Sequence, residues 1–120
     1  LLDEWLIEDR DEKGAMSIRL PEHMPEAFVC NCDLAAYMLI DKLNERGYKV
    51  PEDVSVVGFN NYLYPELADR EITTYEVNTK AMVKVALEKV LKQIKNPKRG
   101  HGMDIVSGRM VIKKSVKLKK

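Results

Sequence analysis

Apolar runs of two different lengths and periods alternate along the chain. Ala27 to Cys30 is a short continuous apolar run, which predicts a strand buried on both faces. Val54 to Phe59 is a second such run, rich in β-branched residues, and predicts a second buried strand. Between the two runs, the apolar positions of Leu34 to Leu43 predict a helix. Asp33 is its expected N-cap, and Gly47 is the glycine expected just after its end.

The second half of the chain repeats this order. Thr73 to Val77 predicts a third, shorter strand, and Asn78 or Thr79 is the expected cap of a long helix. Asn96-Pro97 ends that helix, because proline cannot continue it. Its apolar side chains form one stripe with a flanking row, namely Met82, Ala86, Val90 and Ile94, beside Val83, Leu87 and Leu91.

The alternation of strands and helices predicts an α/β fold, with a parallel sheet flanked by helices on both faces in three layers. Residues 104–115 predict one or two further strands, broken at Gly108. Trp5 to Ile7 is a candidate for another strand near the start of the chain. We expect residues 1–120 to form a single domain.

Composition and charge narrow the classes of function. The chain has 120 residues, with 20 Lys and Arg against 19 Asp and Glu, a net charge of +1. This balance argues against a protein that coats nucleic acid or an acidic membrane, and we expect no membrane segment. The basic end, Lys113 to Lys120, has no interleaved aromatic residues and is expected to be a solvated terminus. Two cysteines two positions apart form no disulfide framework, which favours a reducing, cytoplasmic setting.

Short polar residues follow the first two predicted strands. Ligands of parallel α/β sheets bind at the carboxyl ends of the strands. The candidate ligand-binding residues are therefore Asn31, Cys32, Asp33, Asn60 and Asn61. Their donors and acceptors suit a neutral polyhydroxy ligand, such as a sugar or nucleoside. Helix capping and turn formation are the alternative roles for these residues. If Trp5 to Ile7 is a strand, Arg10 also lies near the carboxyl ends of the strands and is a further candidate ligand-binding residue.

The sequence supports a catalytic or a metal-binding function less well than it supports ligand binding. Cys32 is a candidate reactive thiol, but a thiol that only lines the site is the preferred interpretation. A metal site would need Cys30, Cys32, His23 and His101 to converge, and Cys-x-Cys is not a usual zinc spacing. The sequence contains no phosphate-binding glycine loop, no nucleophile elbow and no His-Glu-x-x-His. We therefore expect neither metal nor cofactor, and a binding protein rather than an enzyme.

Two stretches, residues 27–36 and 43–61, are distinctive in combination. The second contains Gly47-Tyr48-Lys49-Val50-Pro51-Glu52-Asp53-Val54-Ser55-Val56-Val57-Gly58-Phe59. Together with Ile72-Thr73-Thr74 and residues 110–115, they resemble the effector-binding part of the lactose-repressor/galactose-repressor (LacI/GalR) family of bacterial transcription regulators. The resemblance runs from about Pro25 to Ser115. It implies a periplasmic-binding-protein-like core, in which two α/β subdomains close over a small molecule, often a sugar. This chain is similar to the carboxyl-terminal subdomain, and the DNA-binding helices have no counterpart in it.

The resemblance implies particular roles and shows particular departures. Cys32 stands where the family usually has Asn, Asn60 where it has Asp, and Lys113 where it has Arg. The exchange at Asn60 replaces an acceptor-only carboxylate by an amide that also donates. The ligand is therefore not expected to be the same as the sugars that other members of the family bind. In the family, the helix after the first strand and the loop after the second contribute to dimerisation. The resemblance therefore makes Tyr37, Met38, Tyr62 and Tyr64 the candidate dimer contacts.

The function implied is the ligand-sensing and dimerisation domain of a transcription regulator, which reaches DNA only through a further N-terminal domain. A fragment of a periplasmic solute-binding protein of a transporter is the alternative with the same fold. An enzyme that uses Cys32 or Asp33 is the third reading, and it lacks a recognisable base or cofactor motif.

Overall fold

A computed structural model describes residues 3–62, 70–98, 100 and 102–118. After a single 3-10 turn, the elements are β1 (Glu8–Arg10), β2 (Met16–Ile18), β3 (Ala27–Val29), α1 (Asp33–Glu45), β4 (Ser55–Asn60), β5 (Thr73–Glu76), α2 (Thr79–Lys95) and β6 (Arg109–Val111). They form two compact units, one within residues 1–76 and 110–120 and the other within residues 77–109.

The first unit contains a four-stranded sheet in the order β3-β4-β5-β6. β3 is parallel to β4, with Phe28 opposite Val56, and β4 is parallel to β5, with Gly58 opposite Thr74. Because β3, β4 and β5 point the same way, their carboxyl ends meet at one edge of the sheet. The predicted α/β class with a mostly parallel sheet is confirmed.

Helix α1 packs on this sheet through a stripe of apolar side chains. Ala36, Leu39 and Leu43 are at most 1 % exposed, and they pack in one cluster with Val56 and Ile72. Their spacing of three and four residues places them on one helix face. Arg46 is the C-cap, and the following Gly47 has a φ of 83°, as the sequence predicts.

Strand β3 corrects one prediction. It lies at the end of the strand order, and Val29 is 84 % exposed while Phe28 is 7 % exposed. The prediction of a strand buried on both faces is therefore wrong for Ala27 to Val29. A short apolar run shows that a strand is favourable, but it does not show which neighbours the strand has.

The first residues correct a second prediction. Trp5 to Ile7 is not a strand, since Asp3–Trp5 forms a 3-10 turn and β1 pairs with β2 in an antiparallel hairpin. The Asp11 carboxylate accepts hydrogen bonds from the backbone N–H groups of Lys13 and Ala15, at 2.9 and 2.7 Å. These bonds close the turn locally, so the chain folds back on itself between β1 and β2.

The end of the chain is tied to the middle of the sheet. Residues 104–115, predicted to form one or two strands, contain one strand in the structure, β6, which begins after Gly108. Ser115 is buried, and its hydroxyl donates to the Val56 carbonyl at 2.6 Å and accepts from the Thr73 N–H at 2.8 Å. One side chain therefore connects the chain end to both β4 and β5.

Helix α2 belongs to the second unit and has the predicted limits. The Asn78 side chain accepts from the Ala81 N–H at 3.1 Å, and Asn96 is the C-cap. None of its described side chains is buried, and Val83 and Ile94 are 66 % and 69 % exposed. In the described part of the chain, neither α-helix combines the length and the hydropathy needed to cross a membrane.

Candidate functional site

The carboxyl edge of the parallel strands collects a group of short polar side chains. Asn31, Cys32 and Asp33 follow β3, while β4 ends at Asn60. β5 ends at Glu76, and the register places Glu76 directly opposite Asn60. The structure thus brings the residues predicted after the first two strands to one edge, together with a carboxylate from the third.

The start of α1 differs from the prediction in one residue. Cys32 has an extended backbone and is the N-cap, and its Sγ accepts from the Ala35 N–H at 3.5 Å. Asp33 is the first residue of the helix, so its prediction as the N-cap is wrong. The helix begins one position earlier than the capping preference of aspartate predicts. The Asp33 carboxylate therefore does not cap the helix, and it lies next to Gly58 of the sheet instead.

Asp33 lies against the sheet at Gly58. A Cβ built on Gly58 would be 2.1 Å from Asp33 Oδ1, so this position has no room for a side chain. Asp33 is 6 % exposed, and its Oδ1 has no hydrogen-bond partner among the described residues. Thr74, opposite Gly58 in the register, has a buried Oγ1 that also lacks a partner there. Most buried polar atoms have a hydrogen-bond partner, so these two atoms are candidates for contact with a ligand or an ordered water molecule.

The loop after β4 is built by its two asparagines. Asn60 and Asn61 have φ angles of 88° and 51°, a left-handed conformation that asparagine tolerates better than most residues. Asn60 Oδ1 accepts from the Tyr62 N–H at 3.0 Å, and Asn61 Nδ2 donates to Glu76 Oε1 at 2.9 Å. Asn60 and Asn61 therefore form the turn, one of the two roles left open by the sequence, and they do so at the carboxyl edge of the sheet.

Glu76 is the residue that sequence reasoning missed. Residues 73–77 were predicted as a strand, so the rule that ligands bind at carboxyl strand ends applies to its end as well. Applied there, the rule would have selected Glu76 together with Asn60 and Asn61. On the opposite face of the same two strands, Phe59 and Tyr75 stack with ring centroids 5.7 Å apart.

An apolar cavity of about 210 Å³ adjoins this edge. Asn31 and Cys30 line it on the side of β3, and Leu39 lines it from α1. Trp5 and Leu6, from the segment wrongly predicted to be a strand, complete part of the wall. This space lies within the first unit and offers room for an apolar part of a ligand beside the polar edge.

Arg10 does not share the position of the other predicted residues. It ends β1, in the two-stranded sheet, and not a strand of the parallel sheet. The premise that a strand over Trp5 to Ile7 carries Arg10 to the ligand edge is therefore wrong. A ligand contact by Arg10 stays a prediction.

The residues predicted for dimer contacts have different environments. The Arg70 guanidinium lies 4.9 Å from the centroid of the half-buried Tyr37 ring and pairs with Asp41 at 2.9 Å. Met38 is half-buried, and Tyr62 is 60 % exposed. Tyr64 lies outside the described residues.

Metal chemistry finds no support in the part of the chain that the structure describes. There, no three His, Cys, Asp or Glu side chains are grouped so as to hold a metal ion. Cys30 and Cys32 form no disulfide, and both are of intermediate burial. His101, named in the sequence as a conceivable ligand, lies outside the described residues.

Comparison with known proteins agrees with this geometry. Residues 3–116 match the family described as periplasmic binding protein-like domain. The HTH-type transcriptional repressor PurR of Vibrio parahaemolyticus is 30 % identical over 120 residues, which cover 96 % of this chain and 36 % of that protein. The HTH-type transcriptional regulator GanR of Bacillus subtilis is 27 % identical over 97 residues, covering 81 % of this chain and 29 % of that protein. This chain thus spans about a third of the length of these relatives.

Solved structures show the same fold. A putative LacI transcriptional regulator from Bacillus cereus subsp. cytotoxis superimposes with a TM-score of 0.71 and 25 % identity, over 80 % of this chain and 34 % of that one. A LacI-family regulator from Lactobacillus casei with bound sucrose gives a TM-score of 0.62 and 25 % identity, over 77 % of this chain and 34 % of that one. On this evidence the chain belongs to the periplasmic-binding-protein-like domain family, in the form found in LacI-type transcriptional regulators.

Proposed function

We propose that this chain forms one side of the effector cleft of a LacI-type transcriptional regulator and binds a sugar or a related small polyhydroxy molecule. The observation that carries the proposal is the polar cluster at the carboxyl edge of the parallel strands. It combines the ends of three neighbouring strands with two buried polar atoms that have no partner among the described residues. A polyhydroxy ligand supplies the donors and acceptors that such an edge requires.

The known relatives support a regulator over the transporter alternative. The curated relatives described above are HTH-type regulators, and a LacI-family structural neighbour holds sucrose. The same comparisons support sensing rather than catalysis. A cytoplasmic location follows from this proposal, because such a regulator acts where its DNA is.

The mechanism proposed is a shift between two arrangements of the cleft. A ligand held between this edge and a second subdomain stabilises the closed arrangement by the difference between its affinities for the two states. In a homodimer, that shift changes the relative position of the attached DNA-binding domains. Tyr37, Met38, Tyr62 and Tyr64 are the residues that we propose for the dimer contacts.

The test is a titration of the 120-residue chain, labelled with nitrogen-15, with D-ribose, sucrose, lactose and cellobiose. Amide chemical shifts detect weak binding residue by residue, which suits a site that holds one side of a ligand. We expect at least one sugar to cause saturable shifts at Asn31 to Asp33, Asn60, Asn61 and Glu76.

Residues at the other end of β4 are the internal control. The signals of Glu52 and Asp53, which precede β4, should not move. Absence of shifts with all four sugars, or shifts confined to residues away from the carboxyl edge, would overturn the proposal.

A further inference from the structure

We infer that Asp33 and Thr74 form a buried subsite that binds one hydroxyl group of the effector. In this subsite the ligand hydroxyl donates to Asp33 Oδ1 and accepts from the Thr74 hydroxyl. The inference rests on the proposed function and adds Thr74, which the sequence did not indicate, as a residue that determines specificity. The effector is then a sugar that needs a hydroxyl at one defined position, and the site discriminates against the analogue that lacks it.

Gly58 makes the space in which the Asp33 carboxylate lies beside Thr74. A Cβ at position 58 would be 2.1 Å from Asp33 Oδ1 and 3.3 Å from Ile72 Cγ2, so the carboxylate takes the place of a side chain on β4. Thr74 lies directly opposite Gly58 in the parallel register, on the same face of the sheet. Neighbouring strands are about 5 Å apart. One oxygen atom that forms a hydrogen bond on each side bridges about that distance.

The two polar atoms of the subsite have complementary needs. Asp33 is 6 % exposed and Thr74 is 1 % exposed, and neither Asp33 Oδ1 nor Thr74 Oγ1 has a hydrogen-bond partner among the described residues. A carboxylate oxygen only accepts, whereas a hydroxyl both donates and accepts. A single O–H group between them donates to the carboxylate and accepts from the threonine, so it satisfies both atoms at once.

The subsite lies just inside the edge where the proposed ligand-binding residues stand. Gly58 precedes Asn60 by two positions on β4, and Thr74 precedes the end of β5 by the same number. Two positions along a strand are about 7 Å, and they return to the same face. Asp33, the first residue of α1, covers the subsite in the free chain. A rotation of its side chain opens the space from the edge, and this depth admits a hydroxyl group rather than a whole sugar ring.

Thr73 provides a matched control within the same strand. It is also 1 % exposed, and its side chain points to the opposite face of β5. Its Oγ1 accepts from the Lys113 N–H at 2.9 Å, so this hydroxyl has a partner in the free chain. Valine has the shape of threonine without the hydroxyl. Thr73→Val and Thr74→Val therefore compare a paired hydroxyl with one that the inference assigns to the ligand.

Urea denaturation of the free chain is the first measurement. Thr73→Val should lower the urea midpoint, because it leaves the buried end of a hydrogen bond unpaired. Thr74→Val should not lower it, because the hydroxyl that it removes has no partner to lose. A loss in Thr74→Val as large as that in Thr73→Val would overturn the inference, since the Thr74 hydroxyl would then be paired before any ligand binds.

The second measurement is the nitrogen-15 titration with D-ribose, D-glucose and the monodeoxy analogues of both sugars. We expect Thr74→Val to weaken the tighter of the two sugars about fivefold, the effect of one neutral hydrogen bond. Thr73→Val and Thr74→Ser should each stay within about twofold of the wild-type chain, because both retain the hydroxyl at position 74. The wild-type chain should bind one monodeoxy analogue more weakly than its parent sugar. Thr74→Val should lose that preference, because the two changes remove the same hydrogen bond.

Equal affinities of the wild-type chain and Thr74→Val would overturn the inference, since Asp33 and Thr74 would then hold at most a water molecule. A preference against a deoxy analogue that persists in Thr74→Val would overturn it as well. Both outcomes leave sugar sensing intact. Absence of binding by D-ribose and D-glucose would also overturn the inference, and failure of sucrose, lactose and cellobiose in addition would overturn the proposed function itself.

Discussion

The two helices of this protein have similar sequence signals and opposite surroundings. Helix α1 has 13 residues, and six of them are buried. Helix α2 has 17 residues, a capping asparagine and a regular apolar stripe, and none of its described side chains is buried. Periodicity identifies which side chains share a face of a helix, but it does not show whether anything covers that face.

The stability of the two helices therefore has different sources. Burial of side chains such as Leu39 and Leu43 in the α1 core contributes about 1.5–3 kcal/mol each. In the second unit, the described contacts are local and polar, such as the Lys89–Asp104 ion pair at 2.5 Å and the hydrogen bond from Gln93 to the Pro97 carbonyl at 2.9 Å. An exposed ion pair of this kind contributes about 0–1 kcal/mol. We expect α1 to resist local opening more strongly than α2.

The largest expected effect comes from truncating the same side chain in each helix. Leu39 is 1 % exposed and Leu87 is 57 % exposed. Leu39→Ala should lower the free energy of unfolding by about 3 kcal/mol, because it leaves a cavity in the packed core. Leu87→Ala should change it by less than about 0.5 kcal/mol. Urea denaturation followed by circular dichroism measures both values, and equal losses would refute the contrast between the helices.

A glycine in each unit provides the next comparison. A Cβ at Gly58 would clash with Asp33 Oδ1, whereas a Cβ at Gly102 would have nothing within 4 Å. Gly58→Ala should destabilise the protein by about 2 kcal/mol through overpacking, and Gly102→Ala should have little effect. Urea midpoints of the two variants test this difference.

A double-mutant cycle tests whether Asp33 is the residue that a side chain at position 58 would clash with. Asp33→Ala removes the atom that a new Cβ at Gly58 would meet. The double variant should therefore be more stable than the sum of the two single changes predicts. Strict additivity would mean that Asp33 is not what requires a glycine at position 58.

The smallest expected effect is at the cap of α2. Asn78→Ala removes the side-chain oxygen that accepts from the Ala81 N–H, and such caps contribute about 1 kcal/mol. Amide hydrogen exchange in the first turn of α2 should accelerate about fivefold, while exchange in α1 stays unchanged. Acceleration in both helices would show that they open together and would contradict the difference between them.

Local signals predicted much of the fold and part of the site. The limits of α2, the end of α1, the strands at residues 27–29 and 55–60, and the edge position of Asn60 and Asn61 follow from propensities, caps and periods that act within a few residues. The strand at Trp5 to Ile7 was wrong, because a turn closed by Asp11 forms a hairpin instead. The role of Cys32 as the cap was missed, because aspartate is the commoner capping residue.

By itself, the sequence determined the order and type of the elements from β3 to α2 and the polar residues that end two of the strands. Only the tertiary structure decided that β3 lies at an edge, that Asp33 rests on Gly58, and that Glu76 faces Asn60. The physical reason is the separation along the chain of the residues on which each feature depends. Capping and periodicity depend on neighbours along the chain, whereas register, burial and the meeting of charges depend on which distant segments pack together.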